Sequence, residues 1–189
     1  MKRSWLRKSI ATLILFSAGL AILFAQRSHA RAQMPKLPLA EMERLSKLYV
    51  GTWTYTETYP KSPMSPEGGV NTGTYTSELG PGGNSILNRF HSKGPVGDFE
   101  GVIVMTWDPK AGEYKAYVLT SSFPGALVET GKLENDTFTL RTEFSMGSMN
   151  IAMRNVTKFQ DGGKLTSDQY SSANGSPEAL IVHVEATKK

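Results

Sequence analysis

The chain alternates. In "YVGTWTYTETY" (49–59) every second residue from Thr52 to Thr58 is threonine, and Trp53, Tyr55, Glu57 and Tyr59 stand between them. A period of two is that of a β-strand, whose side chains point by turns to its two faces. Threonine is β-branched and polar, which suits the wet face of a strand. Trp53, Tyr55, Glu57 and Tyr59 are therefore expected to face inward. Similar stretches follow at 70–79, 84–92, 99–107, 113–120, 126–133, 136–144, 148–159, 164–171 and 179–187, rich in Thr, Tyr, Val, Ile and Phe. Turn signals separate them: "PKSPMSPEGG", "GPGG", "KGPVG", "DPKAGE", "FPG", "END", "MGS", "DGGK" and "ANGSPE". Most of these linkers are too short for a crossover helix, so neighbouring strands should pair antiparallel. About ten evenly spaced strands predict a sandwich or a closed barrel.

One segment has a different period. In "LAEMERLSKLYVG" (39–51), Met42, Leu45, Leu48 and Tyr49 share one helical face. Pro38 suits a first turn, Glu41 and Glu43 favour the positive helix start, and Gly51 ends the run. A short helix is thus expected to lead into the first strand.

Charge divides the chain. The net charge of +4 comes from residues 1–32, which hold Lys2, Arg3, Arg7, Lys8, Arg27 and Arg31 and no acid. The rest carries 15 basic and 17 acidic residues. A basic groove for nucleic acid is not expected on such a body. "MKRSWLRK", the uncharged "SIATLILFSAGLAILFA" (9–25) and Ala30-Arg31-Ala32 read as a signal peptide cut before Gln33. The alternative is an uncleaved anchor, since the apolar stretch is near the lower limit for spanning a bilayer. Both readings put the body outside the cytoplasm, periplasmic or secreted, with no membrane association once the leader is cleaved. Residues 33–38 read as a linker and 39–189 as one domain. Absence of cysteine excludes disulfides, thiolate metal sites and a cysteine nucleophile. Asn135, Asn155 and Asn174 open Asn-x-Ser/Thr triplets, which chance explains in a chain this rich in those residues.

A helix running into Gly51-x-Trp53 resembles the opening of the calycin barrels, which include lipocalins and fatty-acid-binding proteins. That resemblance implies that Trp53 plugs the closed end, with Gly51 at a sharp backbone turn. The wider pattern, "LYVGTW", "ELGPGGNSIL", "FEGVIVMTWDPKAGEYKAY" and "ALIVHVEA", resembles a bacterial exported calycin-like, lipocalin-related family, a domain of unknown function, over about residues 40–187. It implies an all-β antiparallel barrel and no particular chemistry. In lipocalins a basic residue after the last strand packs on the Trp. The candidates here are Lys188, Lys189 or Arg154.

The inner faces suggest a ligand site. Phe99, Ile103, Met105 and Trp107 share one face of the fourth strand, with Gly101 opening space. Phe138, Leu140 and Phe144 line another strand, and Met149, Ile151 and Met153 a third, with Met146 before them. Methionine adapts to irregular partners, although it fills cores equally well. Gly73 and Gly101 within strands point to a cavity. The expected ligand-binding set is Trp53, Tyr55, Glu57, Tyr59, Phe99, Met105, Trp107, Met149 and Met153, beneath a Pro-stiffened loop at 60–69 that is either a lid or a surface excursion. Glu57 between tyrosines could serve as a general acid or base, with Tyr55, Tyr59 and Arg89 or Arg141 beside it, as in phenolic-acid decarboxylases of similar fold. The bland reading is a structural carboxylate at the wet mouth. His183 is a conceivable haem ligand, but it alternates with the apolar Leu180, Val182, Val184 and Ala186 and is expected to face solvent beside Glu185. No metal-site, phosphate-loop or serine-hydrolase motif occurs, and no cofactor is expected. Three functions stay open: a carrier of a small, partly apolar molecule; a barrel enzyme acting on an aromatic or carbonyl substrate through Glu57 and interior tyrosines; and a filled barrel that binds a protein partner.

Overall fold

The computed structural model describes residues 39–62 and 65–189. The leader, the linker and Pro38 lie outside the described residues, as do Pro63 and Met64 of the 60–69 loop. Helix α1 (Ala40–Tyr49) is followed by ten strands: β1 (Gly51–Tyr59), β2 (Gly69–Leu79), β3 (Ser85–Gly94), β4 (Gly97–Asp108), β5 (Glu113–Thr120), β6 (Phe123–Glu134), β7 (Thr137–Met146), β8 (Met149–Gln160), β9 (Lys164–Ala173) and β10 (Ala179–Lys188). Each strand pairs antiparallel with its neighbour in sequence, and β10 closes on β1. Closure leaves no sheet edge to be protected.

The expected helix and all ten strands are present, with small shifts at their ends. The main departure is "FPG", expected as a turn. Phe123 instead pairs with Thr120 and opens β6, where the register shifts at Leu119/Thr120. The other departure is Leu180. A bulge between Leu180 and Val182 pairs Leu180 with Tyr170, taking it off the inward face kept by Val182, Val184 and Ala186.

Sequence and register together seal one end. Met42 and Leu45 of α1 are fully buried, and Leu48 and Tyr49 pack on the same core. Glu41 and Glu43 lie in the helix's first turn and Lys47 in its last, each at the dipole end of opposite sign. Arg44 donates to the carbonyls of Leu133 (3.2 Å) and Asn135 (2.7 Å), tying the helix to the β6–β7 hairpin. The Tyr114 hydroxyl sits 2.8 Å from the Glu41 carbonyl. Trp53, 1% exposed, donates from Nε1 to the Tyr49 carbonyl at 2.9 Å and stacks on Tyr75 at 5.4 Å between centroids. Lys188 pairs with Trp53 across β10–β1 and holds Nζ 5.3 Å from the Trp ring. It is the basic partner of the Trp; Arg154 lies on the outer face, over the Tyr170 ring and bonded to Glu178. Gly51 has φ +141°, and a Cβ there would meet the Lys188 side chain at 2.5 Å. The Gly-x-Trp therefore combines a backbone turn that disfavours side chains with the close approach of this lysine.

Candidate functional site

From the sealed end the inward faces run to the opposite mouth, where the hairpins 94–97, 120–123 and 146–149 and the 173–179 connection lie. Register places Glu57 beside Asn71 of β2 and Val184 of β10, and Gly73 beside both Tyr55 and Ser92. Glu57 Oε2 accepts hydrogen bonds from Tyr59 Oη (3.0 Å) and from Ser92 Oγ. Ser92 Oγ in turn accepts from Asn71 Nδ2 at 3.3 Å. Asn71 also donates to the Gly97 carbonyl (2.9 Å) and accepts from Val96 N–H (3.2 Å). Asn71 and Ser92 are fully buried. The carboxylate is thus held by a network that also fixes the β3–β4 hairpin.

A second carboxyl stands on another wall. Glu129 of β6 is 6% exposed and accepts from Asn155 Nδ2 of β8 at 2.8 Å. Burial raises its pKa, and the Asn155 bond offsets only part of that. The Tyr49 phenol reaches in from α1 beside Thr157 and Glu129, and burial pushes it up to about 12. Burial also raises Tyr55 and Tyr75, with the Glu57 charge adding to the shift at Tyr55, so both remain neutral phenols that can donate. Their hydroxyls, and Asn88 Oδ1 on β3, are buried without a hydrogen-bond partner among the described residues. Buried polar atoms of this kind call for a partner.

The structure divides the sequence-derived set by depth. Trp53 and Met105 are sealed in the closed-end core, and Trp107 packs edge-on to Tyr114 there, with centroids 4.8 Å apart. Tyr55 lies above Trp53. Glu57, Tyr59 and Phe99 come together near the mouth, with the Tyr59 and Phe99 rings 6.4 Å apart. Met153 faces inward from β8, half-buried, while Met149 at the rim is 41% exposed, as is Met146 to a similar degree. Arg89 and Arg141 do not join Glu57. Both are exposed and occupy outward positions, between the inward Asn88 and Phe90 and between Leu140 and Thr142. The acid–tyrosine–arginine set considered for an enzyme therefore lacks its arginine. His183 is on the outer face, its Nδ1 2.6 Å from Asp168 Oδ1, and His91 is exposed outside as well. Among the described residues no group of acids and histidines is placed to hold a metal.

Gly73 and Gly101 do not open a cavity. A Cβ at Gly73 would meet the Tyr55 ring at 2.4 Å, and one at Gly101 the Phe90 ring at 2.5 Å. Each glycine is covered by an aromatic side chain from the next strand, a known way of filling such positions. A broad recess of about 660 Å³ lies outside the barrel instead, walled by Thr54, Thr56, Thr72, Thr74, Glu185 and Thr187. It belongs to the wet threonine face, with His91 on its rim and Tyr55 and Gly73 at its floor.

Glu129, Asn155, Tyr49 and Asn71 were not anticipated. For Glu129 a signal existed: Leu127, Glu129, Gly131 and Leu133 share one parity in "ALVETGKLE", so a carboxyl on an otherwise apolar face was readable. Tyr49 gave no such sign, because helical periodicity only counts it as apolar.

No curated protein matches the chain in sequence. Among solved structures, the crystal structure of Rv2717c from M. tuberculosis is similar over 80% of this chain and 98% of its own, with a TM-score of 0.62 and 13% identity. The S-type phycobiliprotein lyase CPES from Guillardia theta is similar over 79% of this chain and 93% of its own, with a TM-score of 0.54 and 12% identity. At these identities the likeness is one of fold, and it agrees with the calycin-like barrel that the strands close. Residues 37–188 match the family described as "Protein of unknown function (DUF1579)", and the chain belongs to that family.

Proposed function

We propose that the protein binds a small, partly apolar molecule in the mouth half of its barrel and performs no chemistry on it. One observation carries this reading: the interior changes character along its length. At the closed end Trp53, Ile86, Met105, Tyr114 and Phe138 are sealed. Towards the mouth the inward Phe99, Val118, Leu127 and Met153 are only half-buried. Among the described residues, the Tyr55 and Tyr75 hydroxyls and Asn88 Oδ1 are buried beside the sealed end without hydrogen-bond partners. Apolar walls with a few convergent polar groups are the usual make-up of a small-molecule site. A barrel filled for stability alone would leave neither feature, because interiors pack to crystal-like density and pair their polar groups.

The test uses N-phenyl-1-naphthylamine, a neutral apolar fluorophore. It should bind with micromolar Kd, about −8 kcal/mol, and quench tryptophan emission. Met153→Asp on the far wall should weaken it at least about tenfold, roughly 1.4 kcal/mol. A folded protein that binds no probe between about pH 5 and 8 would remove the carrier reading and leave a protein-interaction module. That pH span brackets the range in which most domains are stable.

We also propose that the leader delivers this barrel out of the cytoplasm. The charged start, the apolar stretch 9–25 and Ala30-Arg31-Ala32 support it. Intact-mass measurement of protein from its native host should give a chain beginning at or near Gln33. A chain beginning at Met1 and recovered with the membrane would support an anchor instead.

A further inference from the structure

We infer that the molecule carried is cationic: an apolar body bearing an ammonium group, not a fatty acid. This rests on the carrier reading above. It follows from the signs of the groups that face inward. Among the described strands, two carboxyls point into the barrel, Glu57 on β1 and Glu129 on β6. In the closed order these strands are five steps apart in either direction, so the two acids stand on opposite walls. Every arginine on a strand lies on an outward position: Arg89 on β3, Arg141 on β7, Arg154 on β8. The one inward cation among the described strands, Lys188, lies at the closed end against the Trp53 ring.

A ligand carboxylate entering this interior would meet two acids and, among the described residues, no free counter-charge. Desolvating a charge without a partner is strongly unfavourable. An ammonium group meets the opposite situation. Glu57 is pre-aimed by Tyr59 and Ser92. Asn88 Oδ1 is a buried acceptor with no donor among the described residues, on a residue only 6% exposed. The neighbouring hydroxyls of Tyr55 and Tyr75 are unpaired in the same way and can accept as well as donate. The aromatic faces of Tyr59 and Phe99 beside Glu57 add attraction for a cation and none for an anion. Glu129 is consistent with this. Its carboxyl is raised by burial, a cost that a nearby cation relieves and an anion increases. The charge pattern asks for a positively charged head, and the unpaired hydroxyls and amide oxygen can accept its N–H donors.

The experiment is displacement of N-phenyl-1-naphthylamine from the full chain by dodecylamine, dodecanol and dodecanoate, each below its micelle concentration. Their tails are matched, so differences report the head group. Dodecylamine should displace the probe at a concentration at least about tenfold below that of dodecanoate, with dodecanol between them, as a difference of one well-placed charge contact requires. Glu57→Gln should bring dodecylamine close to dodecanol, and Glu129→Gln should narrow the gap further. Retained probe binding in each variant shows that it is folded. Glu185→Gln, on the outer wall, should change nothing. Equal or tighter binding of dodecanoate would overturn the inference. So would an amine preference untouched by both interior substitutions, or one abolished by the outer one, since these mark surface adsorption. If the probe itself fails to bind, the carrier reading falls and takes this inference with it. If it binds and the head groups are not distinguished, only the inference is lost.

Discussion

Replacing Trp53 with alanine is expected to destabilise the barrel by about 3–5 kcal/mol, measured by equilibrium urea unfolding. Three losses add up. The largest is the cavity left by a side chain that is 1% exposed and stacked on Tyr75, in a closed end that α1 already caps. The second is the bond from Nε1 to the Tyr49 carbonyl at 2.9 Å. That carbonyl lies next to the helix end, and leaving it unpaired costs more than the bond itself contributes. The third is the Trp face beneath Lys188 Nζ, without which a charge at the closed end loses its partner. Trp53→Phe restores part of the volume but not the N–H, and should fall between. A loss under about 1 kcal/mol would mean that the surrounding wall collapses into the space, contrary to a packed plug.

Gly131→Ala should have the second largest effect, about 2–4 kcal/mol. Glycine is not needed here for its backbone angle. A Cβ would lie 1.8 Å from the Thr139 carbonyl oxygen, 2.8 Å from its carbon and 3.0 Å from Leu140 Cα. All three are backbone atoms of β7, so no rotamer change relieves the contact, and β6 must move away from β7. Register between these strands spans only Thr130–Glu134 against Thr137–Arg141. The disturbance falls in the middle of that short ladder, two residues from Glu129. Alanine gains about 0.4–1 kcal/mol through the unfolded chain, so the clash must exceed this to appear at all. Unfolding that stays within about 0.5 kcal/mol of the parent would show that the ladder yields freely. The preference for dodecylamine over dodecanol should narrow as well, because Glu129 moves with its strand.

Both effects arise where glycine and tryptophan stand out in an alternating sequence, yet only the first was readable there. Gly51-x-Trp53 announces itself by its position between a helical and a two-residue period. Gly131 looks like any glycine in a strand until β7 is laid beside it.

The same division runs through the whole molecule. The sequence alone determined what depends on near neighbours along the chain: the period-two stretches, the turn residues that separate them, the single helix and its buried face, and the parity that sends Thr52 to Thr58 outward and Trp53 to Tyr59 inward. These are local because a strand's two faces and a turn's backbone angles are set within a few residues. Tertiary structure decided everything that depends on register across the closed sheet. It chose Lys188 over Arg154 as the partner of Trp53, laid the Tyr55 and Phe90 rings over Gly73 and Gly101, and left Leu180 outside through a bulge. It sorted Met105 and Trp107 to the sealed end and Glu57, Tyr59 and Phe99 to the mouth, although all share the inward parity. It also set Glu129 across from Glu57. Alternation tells inside from outside but carries no information on depth or on which wall faces which. Those follow from the pairing of residues far apart in the chain and from the closing of β10 on β1.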